Sequence, residues 1–125
     1  MKRKRKTVYD QKIIEALERI PFPIFDKRHN LTVCLYDGRA RSNEGRFEHI
    51  SKNNHKLSVK DIEYIPEGLV MKSKLKQDPI RKNTFNYYIP RKGDIHRFIK
   101  VCVEIVDEKQ RIARIKTIFI TSAIK

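Results

Sequence analysis

Apolar residues at Ile13, Ile14, Leu17 and Ile20 recur at helical spacing, and Pro21 and Pro23 follow at once. This predicts a first helix over Tyr9 to Ile20, stopped where residues without an amide hydrogen enter. The β-rich run LTVCLY, residues 31 to 36, is closed by Asp37-Gly38 and predicts a strand at a sheet edge. A second helical region begins near Asn43, where Phe47 and Ile50 lie three apart on a core-facing stripe with His49 beside it. After an Asn-Asn break, Ser58 and Asp61 form a near capping box that opens SVKDIEYI. Its stripe is Val59, Ile62 and Ile65, and Pro66 is expected to end it.

The pattern then changes period. NTFNYYIP, HRFIKVCVEIV and RIARIKTIFIT are rich in β-branched and aromatic residues, and are separated by Gly93 and by the polar run Asp107 to Gln110. In the middle segment Ile99, Val101, Val103 and Ile105 alternate with Lys100, Cys102, Glu104 and Val106, which predicts a strand with one face on a core. The fold class expected is α+β: N-terminal helices packed on one face of a small antiparallel sheet, with a meander at the C-terminal end. A chain of 125 residues makes one domain. It divides into a basic arm (1–6), a mainly helical part with one strand (7–66) and an antiparallel sheet (67–125).

Charge changes the picture most. Twenty-nine Lys and Arg against fifteen Asp and Glu give a net charge of +14, a field that favours a polyanionic partner. Residues 71–100 hold nine basic residues against Asp78 and Asp94, and the first six residues hold five more. The first of these regions also carries Phe85, Tyr87, Tyr88 and Phe98. Flat rings among cations can stack on unpaired bases while the cations pair with phosphates, so Tyr87, Tyr88 and Lys100 are candidate RNA contacts. Rings at strand spacing more often belong to a core. Cys34 and Cys102 sit in apolar runs and read as core thiols. Without a CxxC or Cys/His cluster, neither a metal site nor a cofactor is expected. No stretch reaches eighteen consecutive apolar residues, and MKRKRKTVYD has no apolar segment after its charges. The expectation is therefore a cytoplasmic protein with no membrane partner.

RFEHISKNNH (residues 46–55), a helix ending in proline, and a last strand reading RIKTIFIT together resemble the barnase-EndoU-colicin-RelE superfamily of small phage and mobile-element nucleases. The resemblance covers about residues 31–122. It implies metal-independent RNA cleavage, with His49 and His55 at the family's helical histidine positions and Lys116, Thr117 and Thr121 at its terminal-strand polar positions. It also implies an acidic inhibitor or antitoxin as a partner.

The residue types suit that chemistry. Attack by a ribose 2′-OH needs a base, an acid for the leaving oxygen, and cations where charge grows on phosphorus. Histidine serves either proton role. Arg46, three residues before His49, would share its helix face and bind the scissile phosphate, and Arg97 and Arg114 are further phosphate candidates. Regular alternation in the last strand puts Arg114 and Lys116 on one face and Thr117 and Thr121 on the other. Only a bulge would let both pairs line one cleft. The histidines also suit a solvent-facing helix end, and the threonines suit any strand. His29 and His96 read as surface residues. A non-catalytic nucleic-acid-binding module is the alternative function, and a basic scaffold for an acidic protein is a third.

Overall fold

The structure is a computed structural model and describes residues 11–35 and 57–122. Helix α1 spans Gln11–Glu18 and buries Ile13, Ala16 and Leu17. Its end tightens through Arg19 N–H to Ala16 O and Ile20 N–H to Leu17 O, short-range bonds typical of a terminating turn. Strand β1 (Ile24–Asp26) follows and pairs antiparallel with β2 (Leu31–Cys34) across a turn in which Asn30 adopts φ 54°. Asparagine tolerates that left-handed conformation better than most residues.

Three expectations are corrected here. A second strand, β1, joins the expected one in the N-terminal half. The run at 31–36 is not at an edge, because β2 lies between β1 and the last strand of the sheet. The helix α2 (Val59–Met71) does not stop at Pro66, which lies inside it.

The predicted cap of α2 is present: Ser58 Oγ accepts from the Asp61 amide at 3.1 Å, and Asp61 Oδ2 accepts from the Ser58 amide at 2.9 Å. Proline in a helix interior costs about 3 kcal/mol. Ile62, Ile65 and Leu69 are each 0% exposed on this helix, and burying one such side chain contributes roughly 1.5–3 kcal/mol. Packing therefore outweighs the missing bond. The far end of α2 is secured when Arg28 donates to the carbonyls of Leu69 (3.3 Å) and Ser73 (2.9 Å).

Four strands complete the sheet: β3 (Lys74–Gln77), β4 (Thr84–Arg91), β5 (Asp94–Asp107) and β6 (Ile112–Thr121). The order is β1-β2-β6-β5-β4-β3, and every pairing is antiparallel except that of β2 with β6. A two-residue connection, Lys92-Gly93, joins β4 to β5, and Gly93 takes φ 79° there, where a Cβ would be strained. One hydrophobic cluster unites the described elements. It takes Ile13 and Leu17 from α1, Ile62, Ile65 and Leu69 from α2, and Val33, Tyr87, Ile89, Ile99, Val101, Val103, Ile115 and Ile118 from the sheet. The two halves of the chain thus share one sheet and one core.

Candidate functional site

The site is built outward from β6. Against β5, Thr117 lies opposite Cys102 and Ile115 lies opposite Val103, so the register shifts and Lys116 is the extra residue. This is a β-bulge, which places Lys116 and Thr117 together against Cys102 and re-aims a side chain. The Lys116 charge acts on the Cys102 thiol. Burial pushes the thiol up, while Lys116 and Lys100 pull the other way.

Residues opposite one another in a ladder share a face. Thr117, Phe119 and Thr121 therefore lie with Cys102, Lys100 and Phe98, and these in turn with Asn86, Tyr88 and Pro90 of β4. Lys100 Nζ stands 5.6 Å from the Tyr88 ring centroid and 5.2 Å from that of Phe119. The Phe98 ring meets Tyr88 edge-on at 6.3 Å. Two buried polar atoms in the central row, Asn86 Oδ1 and Thr117 Oγ1, have no hydrogen-bond partner. An unsatisfied buried polar group costs about 1–3 kcal/mol. Thr117 Oγ1 is a donor and acceptor on the residue that follows Lys116 in the bulge. Such a group can hold a phosphate oxygen while the cation offsets its charge.

The other expected site residues are distributed as follows. Arg114 shares this face but is held by Glu104 through Nε at 3.2 Å and Nη2 at 3.0 Å. Tyr88 is buried beneath Lys100, and Tyr87 points the other way into the hydrophobic cluster with no exposed surface. Neither ring is presented to solvent for stacking. Arg97 is exposed and lies 3.7 Å from Asp94. His96 is exposed, on β5. Arg46, His49 and His55 lie outside the described residues.

The family resemblance has no counterpart in the comparisons with known proteins. No family model, curated protein or solved structure matches the chain. Among the described residues no group of three or more His, Cys, Asp or Glu could hold a metal ion. No helix among them is long and apolar enough to cross a membrane.

Two constellations escaped the sequence. Asp26 is 0% exposed, and its Oδ2 receives the Tyr87 hydroxyl at 2.6 Å and faces His29 Nδ1 at 2.7 Å. The His29 side chain is 30% exposed. Burial and the neighbouring carboxylate both push the Tyr87 phenol far above its ordinary range, so it serves as a fixed donor. An aspartate and a histidine three apart in DKRH were legible as a pair, but nothing in the chain pointed to Tyr87.

The second constellation is a cleft of about 380 Å³ lined by Ser58, Lys60, Asp61, Tyr64, Lys92 and Asp94. Arg91 grips Asp61 there with two bonds of 2.9 and 3.0 Å, and Lys92 stands 4.8 Å from the Tyr64 ring centroid. Hydrogen bonding to Asp61 raises the Arg91 guanidinium further. This pair is a brace between α2 and the β4–β5 hairpin.

Proposed function

We propose that this protein is a small basic ribonuclease that cleaves RNA without a metal cofactor, acting in the cytoplasm as the toxic member of a mobile-element pair restrained by an acidic partner. The helices are taken to cover one face of the sheet, and RNA to meet the other. The observation that carries the reading is the bulge at Lys116, which puts Lys116 together with Thr117, whose buried hydroxyl lacks a hydrogen-bond partner, opposite Cys102. In the proposed reaction the ribose 2′ oxygen attacks phosphorus, its proton passes to one of His49 and His55, and the other protonates the departing 5′ oxygen. A 2′,3′-cyclic phosphate and a free 5′-hydroxyl result. Lys116 and Thr117 hold the non-bridging oxygens as charge grows there, and Arg46 and Thr121 extend the contact to neighbouring phosphates, whereas Arg97 alternates to the other face of β5.

A non-catalytic RNA-binding module is the second reading. The exposed Lys74 and Lys76 and the half-buried Lys100 on one face favour it, because cations suffice for binding phosphates and require no proton carrier. Incubation of the purified protein with labelled RNA in EDTA separates the two: cleavage supports the first reading, and retention without cleavage supports the second. Positioned acid-base groups contribute about 10²–10⁴ in rate. His49→Ala, His55→Ala and Lys116→Ala should therefore each cut cleavage at least about a hundredfold, with thermal unfolding nearly unchanged for the two histidine variants. Cleavage at the wild-type rate by all three variants would remove the catalytic assignment.

A further inference from the structure

The basic side chains that the register aligns with the β6 bulge extend to the far edge of the sheet. Lys74 lies opposite Tyr88 and Lys76 opposite Asn86. Leu75, between them, faces Tyr87 and packs against the hydrophobic cluster. Both lysines are exposed and project from the face that carries Lys100, Cys102 and Thr117. One row thus reads Lys76, Asn86, Cys102, Thr117 across four strands, and the next reads Lys74, Tyr88, Lys100, Phe119. Adjacent strands are about 4.8 Å apart, so β3 lies roughly 14 Å from the Lys116–Thr117 bulge, within the reach of a single strand only a few nucleotides long.

The surroundings keep this edge cationic. Residues 72–83 contain Lys72, Lys74, Lys76, Arg81 and Lys82, with Asp78 the one carboxylate. Asp78 is occupied by its own turn, accepting from the amides of Ile80 and Arg81 at 2.9 Å each. Lysines on an edge strand also discourage pairing with other chains. That role would be served by lysines on either face, whereas here both stand on the face that carries the rings and the bulge.

We propose that Lys74 and Lys76 on the edge strand β3 form a phosphate subsite for single-stranded RNA, holding the strand that enters the cleavage centre across β4 and β5. The subsite rests on the ribonuclease reading above, and it acts in binding and not in chemistry. Each phosphate neutralised on a single strand contributes about 0.7 to the slope of log affinity against log salt. The double variant Lys74→Ala/Lys76→Ala should therefore flatten that slope by about 1.4, raise KM for RNA cleavage and leave kcat unchanged. Lys74→Arg/Lys76→Arg should keep the wild-type slope.

The control Lys27→Ala/Lys109→Ala removes equal charge from exposed positions in the β1–β2 and β5–β6 turns and should leave the slope near wild type. If the control flattens the slope as much as the β3 variant does, only net charge matters and the subsite is overturned. A fall in kcat at constant KM overturns it as well. Wild-type protein that neither binds nor cleaves RNA sinks the ribonuclease reading itself, whereas cleavage with a KM indifferent to Lys74 and Lys76 sinks only the subsite. Binding of poly-glutamate in preference to RNA, lost in the β3 variant, would overturn the RNA subsite and make β3 a strand that docks an acidic protein.

Discussion

Replacing Tyr87 by phenylalanine tests how the core tolerates a buried carboxylate. The substitution keeps the ring and removes one hydroxyl, the donor that reaches Asp26 Oδ2 at 2.6 Å. Asp26 is 0% exposed and its Oδ1 already lacks a partner, so the loss removes one of the two side-chain contacts to its Oδ2 and leaves that of His29 Nδ1. A hydrogen bond to a charged group is worth about 1.5–3 kcal/mol, and Tyr87→Phe should lower the unfolding free energy at pH 7 by that amount. For a chain of this length the midpoint should fall by roughly 5–15 °C.

The pH dependence has a definite sign. Burial first, then the hydrogen bond to Asp26 and its charge, raise the Tyr87 phenol, so the folded state keeps a proton that the unfolded state releases near its ordinary pKa of about 10. The stabilisation is fully present below that pH and is lost as pH rises above it. Urea unfolding between pH 7 and 11 should show a gap between wild type and Tyr87→Phe that is constant at first and shrinks above about pH 10. A gap below about 0.5 kcal/mol at pH 7, the range of ordinary surface substitutions, would refute the reasoning. So would a gap that stays constant to pH 11. On the proposed ribonuclease reading, cleavage by the variant, measured well below its midpoint, should match wild type because Tyr87 points into the hydrophobic cluster.

Two further substitutions probe the packing that holds the sheet against α2. A Cβ added at Gly68 would lie 2.4 Å from Ile89 Cγ2 and 2.9 Å from Tyr64 Cε2. Gly68→Ala should therefore destabilise by about 1–2 kcal/mol in urea unfolding, despite the roughly 1 kcal/mol that alanine gains in a helix. Asp61→Ala removes the return bond of the capping box together with both Arg91 bonds. A cost of about 2–4 kcal/mol is expected, below the ~3–5 kcal/mol of breaking a fully buried pair because Arg91 is 21% exposed. A smaller loss in Arg91→Ala, which keeps the cap, and no more loss in the double variant than in Asp61→Ala would identify the pair as the main source.

What the sequence made legible was local. The alternation of Ile99, Val101, Val103 and Ile105 placed all four in the core, and the Ser58–Asp61 box marked the start of α2 to the residue. Both signals lie within a few positions of the structure they specify. What it concealed was decided at a distance. KSKLKQ does not stand out as a strand, because its alternating lysines and single Leu75 become one only when β4 supplies the hydrogen bonds. LTVC becomes an interior strand only because β6, some eighty residues later, pairs with it in parallel. Pro66 carries a strong local stop, yet three buried side chains from the same helix outweigh it. The Asp26–Tyr87 contact, 61 residues apart, has no local mark at all.

The candidate site shows the same division within a single strand. Strict alternation in RIARIKTIFIT must place Arg114 and Lys116 with Ile118 and Ile120, so either two cations enter the core or two isoleucines leave it. Burying a charge without a partner costs far more than one irregular backbone position. The strand resolves the conflict by inserting Lys116 as an extra residue, so Ala113 and Ile115 before it, and Ile118 and Ile120 after it, all pack toward the hydrophobic cluster. The apolar pattern of the sequence therefore demands the bulge, although its position becomes visible only from the pairing with Cys102 and Val103. The same inserted residue that keeps the core apolar puts Lys116 and Thr117 together opposite Cys102, so packing and candidate chemistry here have one cause.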